Sequence, residues 1–325
     1  MINYILRRIA YAIPILIGVN IITFILFFVV NTPDDMARMQ LGEKHISEAA
    51  IAKWKEERGY DKPILWNNNA TASEKITDTI FFQNSVKLFL FDFGRSDSGR
   101  DISYDISQRM WPSLAITIPG LIFGLLAYIT FGLTLAFFRG SYVDISGVIL
   151  CVVMMSISGL FYIIGGQFLI GKLLHLVPIS GYDTGLNAIK FIVLPVLVGL
   201  VGGIGSSTRW YRTIFLEEMG KDYVRTAKAK GLSETSVLYG HVFMNGLIPI
   251  LTGVVVILPS LFMGSLITES FFAIPGLGSY TIDAIGSQDF AIVRSMVFLG
   301  SVLYIIGLIL TDISYTLVDP RVRLN

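Results

Sequence analysis

Few side chains in this sequence have the types and spacing that catalysis or metal binding requires. The three histidines, His45, His175 and His241, are far apart, and neither an HExxH pattern nor a cysteine cluster accompanies them. The single cysteine, Cys151, lies inside an apolar run, where a lone thiol most often serves as a small packing residue. We therefore expect no metal site and no catalytic site in this chain.

One stretch imitates a phosphate-binding loop. Residues Gly166 to Lys172 fit the pattern GxxxxGK, but the next residue is Leu173, which has no hydroxyl to hold Mg²⁺. The stretch also ends an apolar run, whereas a phosphate loop joins a strand to a helix. We reject it as a nucleotide site and find no other in the sequence.

A basic stretch between two apolar segments is the best candidate for a functional surface. Residues 217–233 are too polar for lipid, and their alternation of Lys or Arg with Ala predicts a short helix. Gly231 is placed to end that helix in the left-handed conformation, and Ser233 can cap a second helix. Such an arrangement is suited to docking a partner outside the bilayer. The alternative is a loop that is basic only because of membrane topology and anionic lipid.

The elements that carry this stretch are membrane spans. The chain of 325 residues is 53% hydrophobic and 15% charged, whereas soluble domains are about 25% charged. Continuous apolar runs of about 20 residues fit spanning helices and not a membrane barrel. We predict an all-α membrane protein with six spans: Ile9–Val30, Leu114–Phe138, Ile145–Ile170, Ile189–Ser206, Leu247–Thr268 and Ser295–Thr311.

The spans themselves bear on function. The first is too long for a signal-peptide core and no small-residue cleavage site follows it, so we expect an uncleaved helix. The span cores contain no Asp, Glu or Arg, with Lys190 at one edge. Intramembrane acids are typical of proton-driven carriers, so their absence argues against ion-coupled transport. An ATP-independent carrier or channel, and a membrane-anchored receptor that transports nothing, remain as alternatives. The net charge of +1 gives no reason to expect nucleic acid as a partner.

Orientation follows from Lys and Arg in short loops. The loop 207–246 is rich in them, and the loop after the fifth span has only Arg294 at its far end. Basic residues also lie at both termini: Arg7, Arg8, Arg321 and Arg323. With six spans, these charges predict both termini and the loop 207–246 in the cytoplasm. Lys172 and Lys190, in the loop after the third span, disagree weakly.

We divide the chain accordingly. The predicted parts are an N-terminal transmembrane helix (1–30), an extracytoplasmic segment (31–111), a five-helix core (112–312) and a cytoplasmic tail (313–325). In the extracytoplasmic segment, Ser47–Arg58 is predicted to be an amphipathic helix and Ile76–Leu90 another helix. Glu269, at the outer end of the fifth span, is a weak candidate for contact with a cationic substrate group. A solvated helix-end carboxylate is the default interpretation.

Several stretches resemble one family of transport proteins. Tyr223–Ser233, followed by His241 and Asn245, is similar to the cytoplasmic signature, or EAA loop, of binding-protein-dependent ABC importer permeases. Arg-Thr-Ala in place of Glu-Ala-Ala resembles the dipeptide/oligopeptide/nickel branch. The other stretches similar to that branch are Tyr4–Arg8, Gly59–Pro63, Phe91–Ser96, Glu269 with Pro275–Gly278, and Asp312–Arg321. Met244 is a departure, because the branch has Arg before the Asn.

This resemblance implies a type I ABC importer permease (MetI-like) fold with six transmembrane helices and an extracytoplasmic insertion between helices 1 and 2. Such a subunit lies in the bacterial inner membrane, has no catalytic site or cofactor, and forms half of the translocation pathway with a second, non-identical permease subunit. Two cytoplasmic ATPase subunits hold ATP and Mg, and an extracytoplasmic solute-binding protein delivers the substrate. Peptides are the expected substrate, with nickel complexes or glycosides as alternatives.

The resemblance also implies the site residues. In the family, the signature loop supplies a coupling helix that sits in a groove of the ATPase. The matching residues here are Asp222, Tyr223, Arg225, Thr226, Ala227, Lys228, Ala229, Lys230, Gly231 and Ser233. From their small side chains, we expect Ala227 and Ala229 to make the closest contacts with the ATPase.

Overall fold

The computed structural model describes residues 2–42, 47–68 and 74–318. His45, Arg321 and Arg323, on which predictions were made, lie outside these ranges, as does most of the predicted tail 313–325. The α-helices are α1 (Ile2–Ile25), α2 (Pro33–Leu41), α3 (Glu48–Arg58), α4 (Ile80–Asn84), α5 (Ile102–Phe137), α6 (Tyr142–Ser156), α7 (Gly159–Gly166), α8 (Ala188–Met219), α9 (Asp222–Ala229), α10 (Glu234–Val237), α11 (Met244–Ile257), α12 (Leu266–Phe271), α13 (Leu277–Gly286) and α14 (Phe290–Val318). Turns of π-helix cover Leu26–Val30, Gln167–Leu173 and Leu238–Phe243, and 3-10 turns cover Val86–Leu90, Gly185–Asn187 and Pro259–Met263.

Five helical segments are long and apolar enough to cross a membrane: Leu6–Val30, Ile102–Phe137, Gly185–Met219, Glu234–Phe271 and Phe290–Ser314. They contain five of the six predicted spans, except that Phe138 lies one residue beyond the second segment. The prediction of one continuous helix over Ile145–Ile170 is wrong, because α6 and α7 meet at a bend of 89°. Ile157 and Ser158 adopt extended backbone conformations there. The Ser-Gly pair at the break has low helix propensity, which the surrounding apolar residues conceal in the sequence.

Contacts at both ends of the bent pair show that it still joins the two ends of the bundle. At its start, Asp144 pairs with Arg212, near the end of α8. In its second half, Ile163 packs in one cluster with Leu194, near the start of α8, and with Phe272. Because α8 is a single long helix, α6 and α7 together run alongside it from one end to the other. Counted as one broken span, the bent pair brings the number of candidate spans in the described residues to six.

The chain divides into two compact units. Among the described residues, the first unit comprises residues 2–109 and 280–309, and the second comprises residues 110–279 and 310–318. The apolar core of the first unit joins α1, α2 and α3 through Phe24, Phe28, Met36, Ala37, Ile51, Trp54, Tyr60 and Ile80.

Local signals explain the helices of the first unit. Thr32 and Asp35 form a reciprocal capping box at the start of α2. The predicted amphipathic helix over Ser47–Arg58 is confirmed, because α3 buries Ile51 and Trp54 on one face. The helix predicted over Ile76–Leu90 is shorter than expected, since only α4 and a 3-10 turn form there.

The second unit has one apolar cluster at each end. The first contains Leu133, Ala136, Tyr211, Phe215, Val224, Ala227, Val237, Leu238, Val242 and Ile250. The second contains Ile116, Ile163, Leu194, Val196, Val198, Phe272 and Ile274. Between them, α6 and α8 cross closely at Gly205, where an added Cβ would lie 2.5 Å from the carbonyl oxygen of Cys151. Small residues permit such close crossings in membrane bundles.

Candidate functional site

The short helix predicted from the basic stretch is α9. It follows Lys221, which is extended, and it carries Asp222 in its first turn, where a carboxylate favours the helix dipole. At its end, the amide of Gly231 donates to the carbonyl oxygen of Lys228 at 2.9 Å. Gly231 has a φ of 79°, a conformation that glycine adopts without steric cost. The predicted role of Gly231 as the left-handed residue that ends the helix is therefore confirmed.

The next helix, α10, begins as predicted. The hydroxyl of Ser233 accepts a hydrogen bond from the amide of Ser236 at 3.3 Å, which satisfies a backbone donor that has no partner inside the helix. Glu234 lies in the first turn. The helix–glycine–helix arrangement thus forms from signals carried by the residues of the stretch itself.

The two faces of α9 differ sharply. Val224 and Ala227 are only 1% and 4% exposed, and they pack with Leu133, Tyr211 and Phe215 in the first apolar cluster. Their spacing of three residues places them on one side of the helix. The remaining side chains of the predicted coupling set are exposed: Asp222, Tyr223, Arg225, Thr226, Lys228, Ala229, Lys230 and Ser233. Apolar burial therefore holds α9 against the ends of α5 and α8, and its polar face is left open.

One residue of the predicted coupling set, Ala227, does not lie where we expected it. Ala227 was expected to contact the ATPase closely, but its side chain is buried against the chain's own bundle. Its small size serves the approach of α9 to α5 and α8. Ala229 is exposed, so its contact with an ATPase stays a prediction.

The charged side chains on the exposed face of α9 make only a weak ion pair. A guanidinium nitrogen of Arg225 lies 3.6 Å from the carboxylate of Asp222, and these side chains are 76% and 97% exposed. An exposed pair of this kind contributes about 0–1 kcal/mol. Arg225 and the neighbouring Lys228 can therefore turn to a partner surface at little cost.

Tyr223 ties the start of α9 to the end of α8. Its hydroxyl donates a hydrogen bond to the carboxylate of Glu218. Partial burial and this hydrogen bond raise the pKa of Tyr223, so its hydroxyl stays protonated and remains a donor.

An ion pair that the sequence analysis missed supports the same end of the bundle. The guanidinium of Arg212 donates to both carboxylate oxygens of Asp144, at 2.7 and 2.8 Å, and the amide of Gly140 donates to Asp144 at 2.9 Å. This bidentate geometry fixes α6 to the part of α8 that leads into α9. Arg212 had been counted only as a loop charge. The available signal was an acid in the first turn of an apolar helix.

Glu269 lies at the other end of the second unit, and the expectation of a solvated carboxylate is wrong. The residue is 1% exposed. Its oxygens accept hydrogen bonds from the amides of Ser265, Gly278 and Ser279, at 3.2, 2.7 and 3.1 Å. A buried carboxylate requires such donors. Ser265, just before α12, supplies one of them, and the first turn of α13 supplies the other two. The oxygens of this weak substrate candidate are thus occupied by its own chain.

Comparison with known proteins agrees with this arrangement. Residues 128–324 match the sequence model of a family described as "Binding-protein-dependent transport system inner membrane component". Residues 1–84 match the one described as "Binding-prot-dependent transport system membrane comp, N-term".

Individual relatives cover almost the whole chain. A Brucella abortus (strain 2308) protein named as a peptide transport system permease is 32% identical, with 98% of each chain covered. The oligopeptide transport system permease protein AppB of Bacillus subtilis (strain 168) is 29% identical, over 99% of this chain and all of its own. The glutathione transport system permease protein GsiC of Salmonella paratyphi A is also 29% identical, over 99% of each chain. The chain belongs to the family of inner membrane components of binding-protein-dependent transport systems.

Proposed function

We propose that this chain is the membrane-spanning permease subunit of an ATP-driven ABC importer, and that α9 is the helix through which a separate ATPase moves it. The observation that carries this proposal is the division of α9 into two faces. Val224 and Ala227 attach the helix to the bundle, and a face with Arg225 and Lys228 is exposed. Membership of the family supplies the class of transport system.

The proposed partners follow from that class. The chain carries no catalytic site or cofactor, and two cytoplasmic ATPase subunits bind ATP and Mg²⁺. A second, non-identical permease subunit completes the pathway, and an extracytoplasmic solute-binding protein delivers the substrate. The cations of the loop 207–246 support a cytoplasmic position for α9 and for both termini, and an extracytoplasmic position for residues 31–111.

Peptides are the proposed substrate, with nickel complexes or glycosides second. Relatives named for peptide, oligopeptide and glutathione transport support this choice. Peptides vary in their side chains, so a pathway that carries few fixed charges suits them. The ionic groups of the second unit described above are consistent with such a pathway, because Asp144 and Glu269 are occupied by partners within the chain.

The proposed mechanism is alternating access driven from the ATPase side. ATP binding would draw the ATPase subunits together and pull α9 with them. Because Val224 and Ala227 are packed with residues of α5, α8 and α10, these elements would move as one body. The Asp144–Arg212 pair would carry the movement to α6. Nucleotide thereby changes the relative stability of the inward-open and outward-open states, which is what a conformational shift requires.

Single-cysteine crosslinking tests this proposal directly. Since Cys151 is the sole native cysteine, Cys151→Ala provides the background for Arg225→Cys and Lys228→Cys, with Lys53→Cys as the control on α3. We expect residues 225 and 228, and not residue 53, to capture a nucleotide-hydrolysing subunit in the membrane. Reconstituted complexes should also take up peptide only with ATP. Failure to capture an ATPase, or equal uptake without nucleotide, would overturn the proposal in favour of a carrier or channel.

A further inference from the structure

A cavity of about 560 Å³ lies inside the first unit. Its walls come from the turn after α3, the segments around α4, the loop 92–99 and the first turns of α14. Ligand sites in proteins commonly have volumes of roughly 300–1,000 Å³. The charged residues that line it are Glu57, Arg58, Lys62, Lys87, Asp92, Arg95, Asp97 and Arg294.

Arg294 is the unusual member of this lining. It is only 6% exposed. Its Nε donates to the carbonyl oxygen of Phe290 at 3.3 Å, and one terminal nitrogen donates to the side-chain oxygen of Asn84 at 2.9 Å. The other terminal nitrogen, Nη1, is buried and has no hydrogen-bond partner in the described part of the chain. The guanidinium carbon lies 4.7 Å from the centre of the Phe28 ring.

The other cations in the wall are mostly neutralised. The Nε of Arg58 lies 2.8 Å from a carboxylate oxygen of Asp97. The ammonium nitrogen of Lys62 lies 2.5 Å from a carboxylate oxygen of Asp78, and that of Lys87 lies 4.0 Å from one of Asp92.

Within residues 2–42, 47–68 and 74–318, neither Arg95 nor Arg294 has a carboxylate within the 4.0 Å that defines an ion pair. The cavity therefore carries unbalanced positive charge. Burial of an unpaired charge is unfavourable, and an anion in the cavity would offset that cost for Arg294.

We propose that this cavity binds an oxyanion, and that its occupant is the terminal carboxylate of a short peptide. A guanidinium matches the planar geometry of a carboxylate. Tyr60, Leu88 and Phe93 supply apolar wall for the rest of such a ligand. The identity of the occupant rests on the proposed function. It adds to that function a peptide-binding site within the permease itself.

The test compares two peptides that differ only at the carboxyl end. Trialanine and trialanine amide are titrated by calorimetry into the full-length chain in phosphatidylcholine nanodiscs. We expect the amide to bind at least tenfold more weakly, and Arg294→Gln to weaken trialanine binding by a similar factor. Lys53→Gln, which removes a well-exposed cation of α3 outside the cavity, should bind trialanine as the native chain does.

A second variant keeps the test decisive if Arg294→Gln fails to fold. Arg95 lines the same cavity from an exposed loop, so Arg95→Gln should fold normally and weaken trialanine binding about threefold. Equal affinity for the amide, or native affinity in every folded variant of Arg95 and Arg294, would overturn the proposal.

A lipid phosphate presents the same chemistry, so nanodiscs that contain phosphatidylglycerol form the second arm. Trialanine binding that persists in them supports the peptide as occupant. Phosphatidylglycerol retained in native mass spectra only when Arg294 is present, with no trialanine binding, would overturn the peptide assignment in favour of a lipid headgroup. Neither nanodisc experiment involves an ATPase. The outcome of the binding test is therefore independent of the crosslinking experiment on α9.

Discussion

Charged side chains are exposed at one end of the second unit and buried at the other. At one end, α9 buries Val224 and Ala227 and exposes its charged residues. At the other end, the carboxylate of Glu269 is buried and accepts hydrogen bonds from amides before α12 and at the start of α13. Ser113 and Ala136 mark these ends on α5 and lie roughly 35 Å apart, at 1.5 Å per residue.

The difference separates a surface suited to a partner from a structural joint. The exposed charges of α9 keep their hydration, so a partner can engage them without first breaking internal bonds. The hydrogen bonds of Glu269 are already complete, and removing one member leaves buried donors without acceptors. We therefore expect substitutions at Glu269 to act on folding, and substitutions on the open face of α9 to act on coupling.

The largest effect is expected for Glu269→Ala. The amides of Ser265, Gly278 and Ser279 would lose their acceptor, and each unsatisfied buried donor costs about 1–3 kcal/mol. We expect a large fall in the melting temperature of the purified protein and low yield. Glu48→Ala, which removes an exposed acid of α3, serves as the control. A native melting temperature for Glu269→Ala would show that the turn is not a structural joint.

The next effect is expected for Val224→Asp. This substitution would place an unpaired carboxylate among Leu133, Tyr211 and Phe215, at a cost of several kcal/mol. Since undocking α9 relieves the cost, we expect lost uptake and increased proteolysis within residues 217–233, with the rest of the bundle intact. Ala229→Asp, at an exposed position of the same helix, should leave the helix attached. Equal protease resistance in both variants would argue against apolar attachment of α9.

A smaller effect on stability is expected for Gly231→Val. A β-branched residue resists the φ of 79° found here, with a cost of about 1–2 kcal/mol. We predict that the variant inserts into the membrane but loses ATP-dependent uptake, because the end of α9 changes direction. Gly231→Asn, which tolerates this conformation better, should retain part of the activity. Full uptake by Gly231→Val would show that transport does not require the left-handed turn at residue 231.

The smallest effect on stability is expected for Arg225→Gln. Because the ion pair with Asp222 is exposed, its loss should change the free energy of unfolding by less than about 1 kcal/mol. Uptake and substrate-stimulated ATP hydrolysis should still fall if this face meets an ATPase. Lys53→Gln on α3 should alter neither quantity. A clear loss of stability in Arg225→Gln would show that the charges of α9, like Glu269, contribute to folding, and would contradict the distinction between the two ends of the unit.

The same contrast explains what could be predicted from sequence. The presence of a short helix, its glycine terminus and the Ser233 cap depend on residues within the stretch itself, so local pattern was enough. The start of α9 was not predicted, and residues 217–219 of the stretch belong to α8. The burial of Glu269 depends on a turn whose amide at Leu277 bonds to Ser113, far away in the chain. The partners in the Asp144–Arg212 pair are likewise on different helices, and no local pattern joins them.

The predicted third span, Ile145–Ile170, shows a second limit of prediction from sequence. Its apolar composition predicted a membrane crossing, and α6 and α7 are long and apolar enough for one only when taken together. Its continuity was predicted wrongly, because hydrophobicity carries little information on backbone conformation. Ser158 and Gly159 were visible as weak helix formers, but nothing in the sequence showed that α6 and α7 would meet at 89°.

That bend has a consequence for what can surround the protein. The last carbonyl groups of α6 and the first amides of α7 have no partners inside their own helices. Hydrocarbon offers no substitute, and each unmet backbone group would cost several kcal/mol there. The chain satisfies one of these groups itself, because the hydroxyl of Tyr162 donates to the carbonyl oxygen of Met154 at 2.8 Å. The other groups at the junction of Ile157 and Ser158 need water or polar groups of protein beside them. Acyl chains alone therefore cannot surround this bend.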